Sequence, residues 1–267
     1  MGKFLKFSIG ETFKMKIAIF QYAPVWEDKE ANMQKLRDMA AAANCSGGLM
    51  VFPELTLTGF TMRSRSFAED SEGPTTMFFS ELARKYRAHV FGGLIKAESG
   101  KFYNCLLHLD NNGVLRSVYR KIHPFSFSGE NRFYKGGRQA VITRVGEVET
   151  GMTICFDLRF PELYRHYGKA RTPLIINIAN WPSSRIYHWE TLLEARAIEN
   201  QCFVVGANRV GNDRKNAYNG HSMVIHPFGE QILQAGGEEG VYTVDVDINE
   251  VMRVRSKYPF LDDMVLI

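Results

Sequence analysis

The chain has 267 residues, 45% of them hydrophobic, which supplies one large core and is too apolar for a disordered segment. Its 33 basic residues against 29 acidic ones leave a net charge of +4, too thinly spread to argue for nucleic acid or a membrane surface, both of which need clustered charge. Cys45, Cys105, Cys155 and Cys202 lie far apart, with no C-x-x-C and no His at metal spacing. No disulfide framework or zinc site is therefore expected; reduced thiols and a cytoplasmic location are.

Residues 1–14 carry a short apolar run broken by Lys6 and no small-residue cleavage site, so they read as an N-terminal extension rather than a signal peptide, ahead of a single domain over 15–267. No apolar run approaches the roughly 18 residues of a membrane span. Lys16–Tyr22 predicts a buried strand. Asp28 is placed to cap a helix whose Met33, Leu36, Ala40 and Ala43 recur at three- and four-residue spacing. Leu49–Phe52 predicts a strand that runs into Pro53-Glu54. A helix around Thr76–Tyr86 follows Gly73-Pro74, and His89–Ile95 is the next strand.

Tyr103–Leu109 and Val114–Lys121 flank Asp110-Asn111-Asn112-Gly113, turn chemistry that predicts an antiparallel hairpin. Residues 122–138 are rich in Gly, Ser and charge, a loop of a length that is usually functional in a compact domain. Beyond it, QAVITRV and EVETGMTIC read as strands and a helix runs from about Pro161 to Gly168. Leu174–Asn180 is a strand apolar on both faces. A long helix spans roughly Trp189–Asn200, followed by strands at Cys202–Asn208, SMVIHP, EQILQA and Val241–Asp247. Two sheets face to face with helices outside compete with one doubly wound sheet, and the pattern alone favours neither.

Ligands in open α/β sheets bind at the carboxyl ends of strands, where Glu54, Lys121 and Cys155 stand. A carboxylate, an ammonium and a thiol suffice for acyl transfer: the thiol attacks a carbonyl, the carboxylate moves the proton, and the ammonium holds the oxyanion. The ammonium is also expected to lower the thiol pKa. Cys155 lies on a strand-to-helix junction, ICFDLRFPEL, where the backbone N–H of Phe156 can face the oxyanion and Pro161 suits a helix start. Taken singly, each residue has a plainer reading: a buried filler thiol, a solvated turn carboxylate, a surface lysine. There is no H-E-x-x-H, P-loop or G-x-G-x-x-G after a strand. A papain-like pairing of a cysteine with His123 or His188 stays open, and Arg253, Arg255 and Lys257 read as a charged helix end.

VFPELTLTGF around Glu54, YRKIHPF around Lys121 and GMTICFDLRFPELYR around Cys155 occur in that order, with NIANWPSSR, HWETLLEARAIENQCFVVGANRVG and HSMVIHPFGE beyond them. On these motifs the sequence resembles the nitrilase superfamily of carbon–nitrogen hydrolases from Met15 to about Asp262, with a pattern nearest the bacterial omega-amidases. The resemblance implies an α/β fold, a four-layer αββα sandwich of two mixed sheets with helices outside. It also implies a homodimer joined through outer helices, a small-molecule amide substrate, and neither cofactor nor metal. By the same resemblance Glu54 is the general base, Lys121 the oxyanion stabiliser and Cys155 the nucleophile. Glu130, in SGENRFYKGG, orients Lys121 or assists with protons. Arg159 then binds a substrate carboxylate and Trp181 walls the pocket; an ion pair with Glu162 and a core position are the plainer alternatives. Pro124, Phe156, His221 and His226 depart from the subgroup's usual residues and bear on pocket shape and charge. The rival readings are an amidase for deaminated glutathione or N-carbamoyl amines, and a non-catalytic scaffold.

Overall fold

Along β1 (Lys14–Gln21) the side chains alternate: Ile17 and Ile19 enter one apolar cluster, Ala18 and Phe20 another, and all four are fully buried. A strand that is apolar on both faces needs a layer on each side. The computed structural model, which describes residues 14–43 and 45–266, supplies both layers. The N-terminal extension expected at 1–14 lies outside the described residues except for Lys14, where β1 opens.

The first sheet has the order β14-β1-β2-β3-β4-β5, from β2 (Leu49–Val51), β3 (His89–Glu98), β4 (Lys101–Leu109), β5 (Leu115–Arg120) and β14 (Gly240–Asp247). The second has the order β13-β12-β9-β8-β7-β6, from β6 (Val141–Val145), β7 (Val148–Ile154), β8 (Leu174–Ile178), β9 (Phe203–Ala207), β12 (Met223–Ile225) and β13 (Gln231–Gln234). A small hairpin, β10 (Val210–Asn212) with β11 (Ala217–Asn219), stands beside them. In each sheet the middle strands are parallel, β1-β2-β3 and β7-β8-β9, and the outer ones antiparallel.

Helices α1 (Lys29–Ala42) and α3 (Pro74–Tyr86) cover the outside of the first sheet with Met33, Leu36, Phe78, Phe79 and Leu82. Helices α4 (Pro161–Lys169) and α5 (Ile186–Asn200) cover the second with Tyr164, Tyr167, Trp189 and Leu193. The result is the four-layer αββα sandwich. The two-sheet arrangement prevails over a single sheet because Ile17, Ile19, Leu49 and Val51 share a cluster with Met152, Ile154, Ile176 and Val205 across the interface, at about 1.5–3 kcal/mol per fully buried aliphatic side chain.

The local signals explain the boundaries. Asp28 caps α1, its carboxylate accepting the Ala31 N–H at 3.0 Å, and Pro74 and Pro161 open α3 and α4. The hairpin pairs β4 with β5, its turn closed by Asp110, which accepts the Asn112 and Val114 N–H groups. Helix α5 begins at Ile186, ahead of the apolar periodicity that starts at Trp189. The four-residue α2 (Ser64–Phe67) has no sequence signal, and α6 (Asn249–Lys257) announces only its charged end. Among the described residues, no helix is long and apolar enough to cross a membrane.

Candidate active site

Three strands deliver the chemistry. Beyond β2 the chain turns at Pro53-Glu54 with Leu55 in the left-handed region, φ +47°. Lys121 follows β5 directly, its N–H bonded to the Asn104 carbonyl at 2.9 Å. Cys155 follows β7 and is itself left-handed, φ +46°, before a 3₁₀ turn over Cys155–Arg159. A side chain in that conformation costs on the order of 1–3 kcal/mol, and the surroundings hold it. Buried Asp157 accepts the Ile154 N–H at 3.0 Å, the His123 N–H at 3.0 Å and the Tyr119 hydroxyl at 2.7 Å. Asn177 Oδ1 takes the Cys155 N–H at 3.1 Å, and Asn177 is fixed in turn by Thr153 and Tyr164.

The three residues named with Glu130 in the sequence converge. Lys121 Nζ donates to Glu54 Oε1 at 2.8 Å and to Glu130 Oε2 at 2.9 Å, with all three side chains sealed from solvent. Glu130 also takes the Phe125 N–H at 2.5 Å, so the loop expected to be functional is pinned by the lysine it approaches. Two asparagines that motif reading did not single out complete the frame. Asn104 Nδ2 bridges Glu54 Oε1 at 2.7 Å and Glu130 Oε1 at 2.9 Å. Asn180, just past β8, gives its N–H to Glu54 Oε2 at 2.9 Å and its Nδ2 to the Glu54 carbonyl at 2.7 Å. Its own carbonyl is the Cys155 Sγ neighbour, at 4.0 Å. A polar residue within an apolar buried strand, as in YNCLL, or just past one, as in INIAN, is the signal that points to these asparagines.

Burial works against the Lys121 charge, but the Glu130 and Glu54 carboxylates outweigh it and hold the amine protonated well above its ordinary range. Glu130 is raised, chiefly by burial and partly offset by Lys121. The expectation for the thiol is corrected: Cys155 is raised well above its ordinary value. Burial is the main cause and the Glu54 charge adds to it; the lysine pulls the other way and loses. Two carboxylates against one ammonium leave no spare positive charge to stabilise a thiolate. Burial and the neighbouring carboxylates thus favour the protonated form of the Cys155 thiol.

Cys155 forms part of a cavity of about 250 Å³ together with Phe60, Phe125, Trp181 and Tyr218. Phe156 lines it too, and among the described residues no side chain takes the Phe156 N–H. The Cys155 N–H is already committed to Asn177. Arg159 and Trp181 both border the cavity. Arg159 lies over the Trp181 ring at 4.8 Å and contacts His188 Nδ1 at 3.1 Å; no ion pair with Glu162 forms. Trp181 is buried as well as cavity-lining. His123 is committed to Asp157, Nδ1 at 2.7 Å, and stacks on Phe160, while His188 is exposed. Neither hydrogen-bonds Cys155, and the papain-like pairing is set aside. Of the four departures, only Phe156 lines the cavity. His221 pairs with Glu190 at 2.6 Å and His226 packs edge-on against Phe203.

Known proteins resemble this chain along nearly its whole length. The family model described as carbon-nitrogen hydrolase matches residues 16–256. The chain is 36% identical over 256 residues to the 2-oxoglutaramate amidase of Paenarthrobacter nicotinovorans, covering 91% of this chain and 86% of that protein. It is 31% identical over 254 residues to the 2-oxoglutaramate amidase of Bacillus subtilis, covering 94% and 98%. The crystal structure of a CN-hydrolase superfamily protein from Xanthomonas campestris, which carries an arsenic adduct in its active site, superposes with a TM-score of 0.90. It is 30% identical and covers 95% of this chain and 98% of that one.

Proposed function

The chain belongs to the carbon–nitrogen hydrolase family and is a hydrolase of non-peptide carbon–nitrogen bonds; from that premise we propose that it cleaves the terminal amide of small omega-amido carboxylates of the 2-oxoglutaramate or succinamate type. The observation that carries the proposal is the buried ion pair of Lys121 with Glu54 beside the left-handed Cys155, in a cavity that also holds an arginine without a carboxylate partner. The 2-oxoglutaramate amidases among its relatives support the substrate class.

In this mechanism Glu54 takes the Cys155 proton as Sγ attacks the amide carbon. The Lys121 ammonium and the Phe156 N–H donate to the oxyanion. Collapse breaks the carbon–nitrogen bond, and the proton held by Glu54 leaves with the nitrogen as ammonia. Glu54 then deprotonates a water that attacks the thioester. The second tetrahedral intermediate expels the sulfur, which recovers its proton, and the carboxylate product departs. Glu130 acts through Lys121 as a positioning residue, and Arg159 receives the substrate's distal carboxylate.

We also read the chain as a cytoplasmic homodimer, with 15–267 as its catalytic domain. In support, the four cysteines are free and Ile198 on α5 is exposed together with Phe228 and Phe260. Size-exclusion chromatography with light scattering tests the dimer.

Ammonia release from 2-oxoglutaramate, succinamate, deaminated glutathione and N-carbamoyl amines tests the substrate class. The first two should be turned over with the highest kcat/KM, and the Cys155→Ala protein should release no ammonia while keeping its fold. Preference for deaminated glutathione or carbamoyl amines would overturn the substrate assignment, and turnover by Cys155→Ala the mechanism.

A further inference from the structure

We propose that Arg185 is a second, specificity-determining residue of the carboxylate subsite, and that the substrate's distal carboxylate bridges the Arg159 and Arg185 guanidiniums. The inference deepens the amidase reading above and rests on it for the identity of the anion.

Charge in the cavity wall is one-sided. Arg159, Arg185 and Lys215 line it, and among the described residues no Asp or Glu does. Lys215 is exposed at the rim, whereas both arginines are half-buried, where a charge is screened less than on open surface. Among the described residues neither arginine forms an ion pair with a carboxylate. Asp213, the acid close in sequence to Lys215, is engaged by the Tyr218 hydroxyl at 2.6 Å and by the Lys215 and Asn216 N–H groups at 2.7 Å each.

Aromatic faces hold the two guanidiniums instead. Arg159 lies 4.8 Å from the Trp181 ring centroid and Arg185 lies 5.6 Å from that of Phe125. Such stacking fixes a cation without neutralising it, which leaves the donors at the guanidinium edge available to a ligand. Trp181 joins the pair: its face carries Arg159 while its Nε1–H donates to the Arg185 carbonyl at 2.8 Å. Burial is the main cause that disfavours the Arg159 cation and the Arg185 charge adds to it, so an anion seated between the two guanidiniums relieves their mutual repulsion. Phe125 extends the connection inward, because its N–H is bound by Glu130, which in turn holds Lys121. A carboxylate seated on Arg185 therefore braces the loop that fixes the oxyanion lysine.

The test is a titration of 2-oxoglutarate, the dicarboxylate product, against one of glutaramide, an uncharged diamide of similar length. Both are run on wild type, Arg185→Gln and Arg185→Lys and paired with kcat and KM for succinamate. Arg185→Gln should weaken 2-oxoglutarate about 10- to 100-fold, the range of a charge-assisted hydrogen bond, with glutaramide within about threefold. The succinamate loss should fall mainly in KM, and Arg185→Lys should recover part of the binding. Equal losses on both ligands, or no loss on either, would overturn the proposal. The titration separates it from the amidase reading: selective binding without ammonia release keeps the anion subsite and removes the activity, and amide turnover unaltered by Arg185→Gln does the reverse.

Discussion

Lys121 Nζ and Glu54 Oε1 stand 2.8 Å apart with neither side chain reaching solvent. A buried pair of this kind contributes little net stability, because desolvation offsets most of the attraction, but removing one partner leaves a buried charge uncompensated. Here the imbalance is doubled, since Glu130 faces the same ammonium. Lys121→Met should therefore lose about 3–5 kcal/mol in urea unfolding and, if Lys121 is the oxyanion donor proposed above, at least 10²-fold in kcat. Adding Glu130→Gln should restore part of the stability and none of the activity. An additive double-mutant cycle would show that the two carboxylates do not share the lysine.

The pKa directions fix where pH acts. Lys121 is raised on folding, so its stabilisation is complete below the ordinary lysine value of 10.5 and is lost only as pH climbs through the higher folded value. Cys155 is also raised, but its folded form is the neutral one. The unfolded chain releases that proton first, above its ordinary value of 9.0, and stability then falls with rising pH. Between pH 6 and 8 neither group changes state. Difference absorbance near 240 nm between wild type and Cys155→Ala should show no thiolate at pH 7, and iodoacetamide should label Cys155 slowly there. A thiolate signal at neutral pH would contradict the burial argument and relieve Glu54 of its first proton transfer.

Much of this site was legible in the chain. Glu54 and Cys155 each follow an apolar run and Lys121 follows the mixed strand LRSVYR, positions that strand geometry turns into the end of a sheet, and Pro161 marks where the turn after Cys155 gives way to helix. Less legible was whatever depends on distance between elements. Asn104 sits in mid-strand and bridges two carboxylates 50 and 26 residues away; no local pattern carries that. The thiol pKa misled for the same reason: a lysine nearby argues for thiolate only until the count of carboxylates around it is known. Nothing in CFDLRF singles out Asp157, yet it accepts hydrogen bonds from Ile154, His123 and Tyr119.

One glycine controls the placement of Glu54. Gly93 on β3 exchanges hydrogen bonds with Thr56: the Gly93 N–H goes to Thr56 Oγ1 at 2.9 Å, and the Thr56 N–H goes to the Gly93 carbonyl at 3.1 Å. This holds the Glu54-Leu55-Thr56 turn flat against the sheet. A Cβ at Gly93 would lie 2.4 Å from the Leu55 nitrogen and 3.2 Å from the Glu54 Cα, backbone atoms that cannot swing away. Gly93→Ala should cost about 1–3 kcal/mol from overpacking and, by displacing Glu54 from the position it needs as the proposed general base, about 10²-fold in kcat. A stable Gly93→Ala protein of normal kcat would show that the turn tolerates displacement.

Arg159 separates binding from stability. It is half-buried, pairs with no carboxylate among the described residues, and rests on the Trp181 face, a contact worth about 0.5–1 kcal/mol where water still reaches the cation. Arg159→Ala should thus lower unfolding stability by no more than about 1 kcal/mol. If the guanidinium instead receives the substrate carboxylate, its loss removes a charge-assisted contact made equally in ground and transition states. KM for succinamate should then rise by about 10- to 100-fold with kcat little changed, and KM for an uncharged amide such as butyramide should barely move. Parallel losses on both substrates would mean that Arg159 shapes the cavity wall through Trp181 rather than binding the anion, and the preference for carboxylate-bearing amides would need another origin.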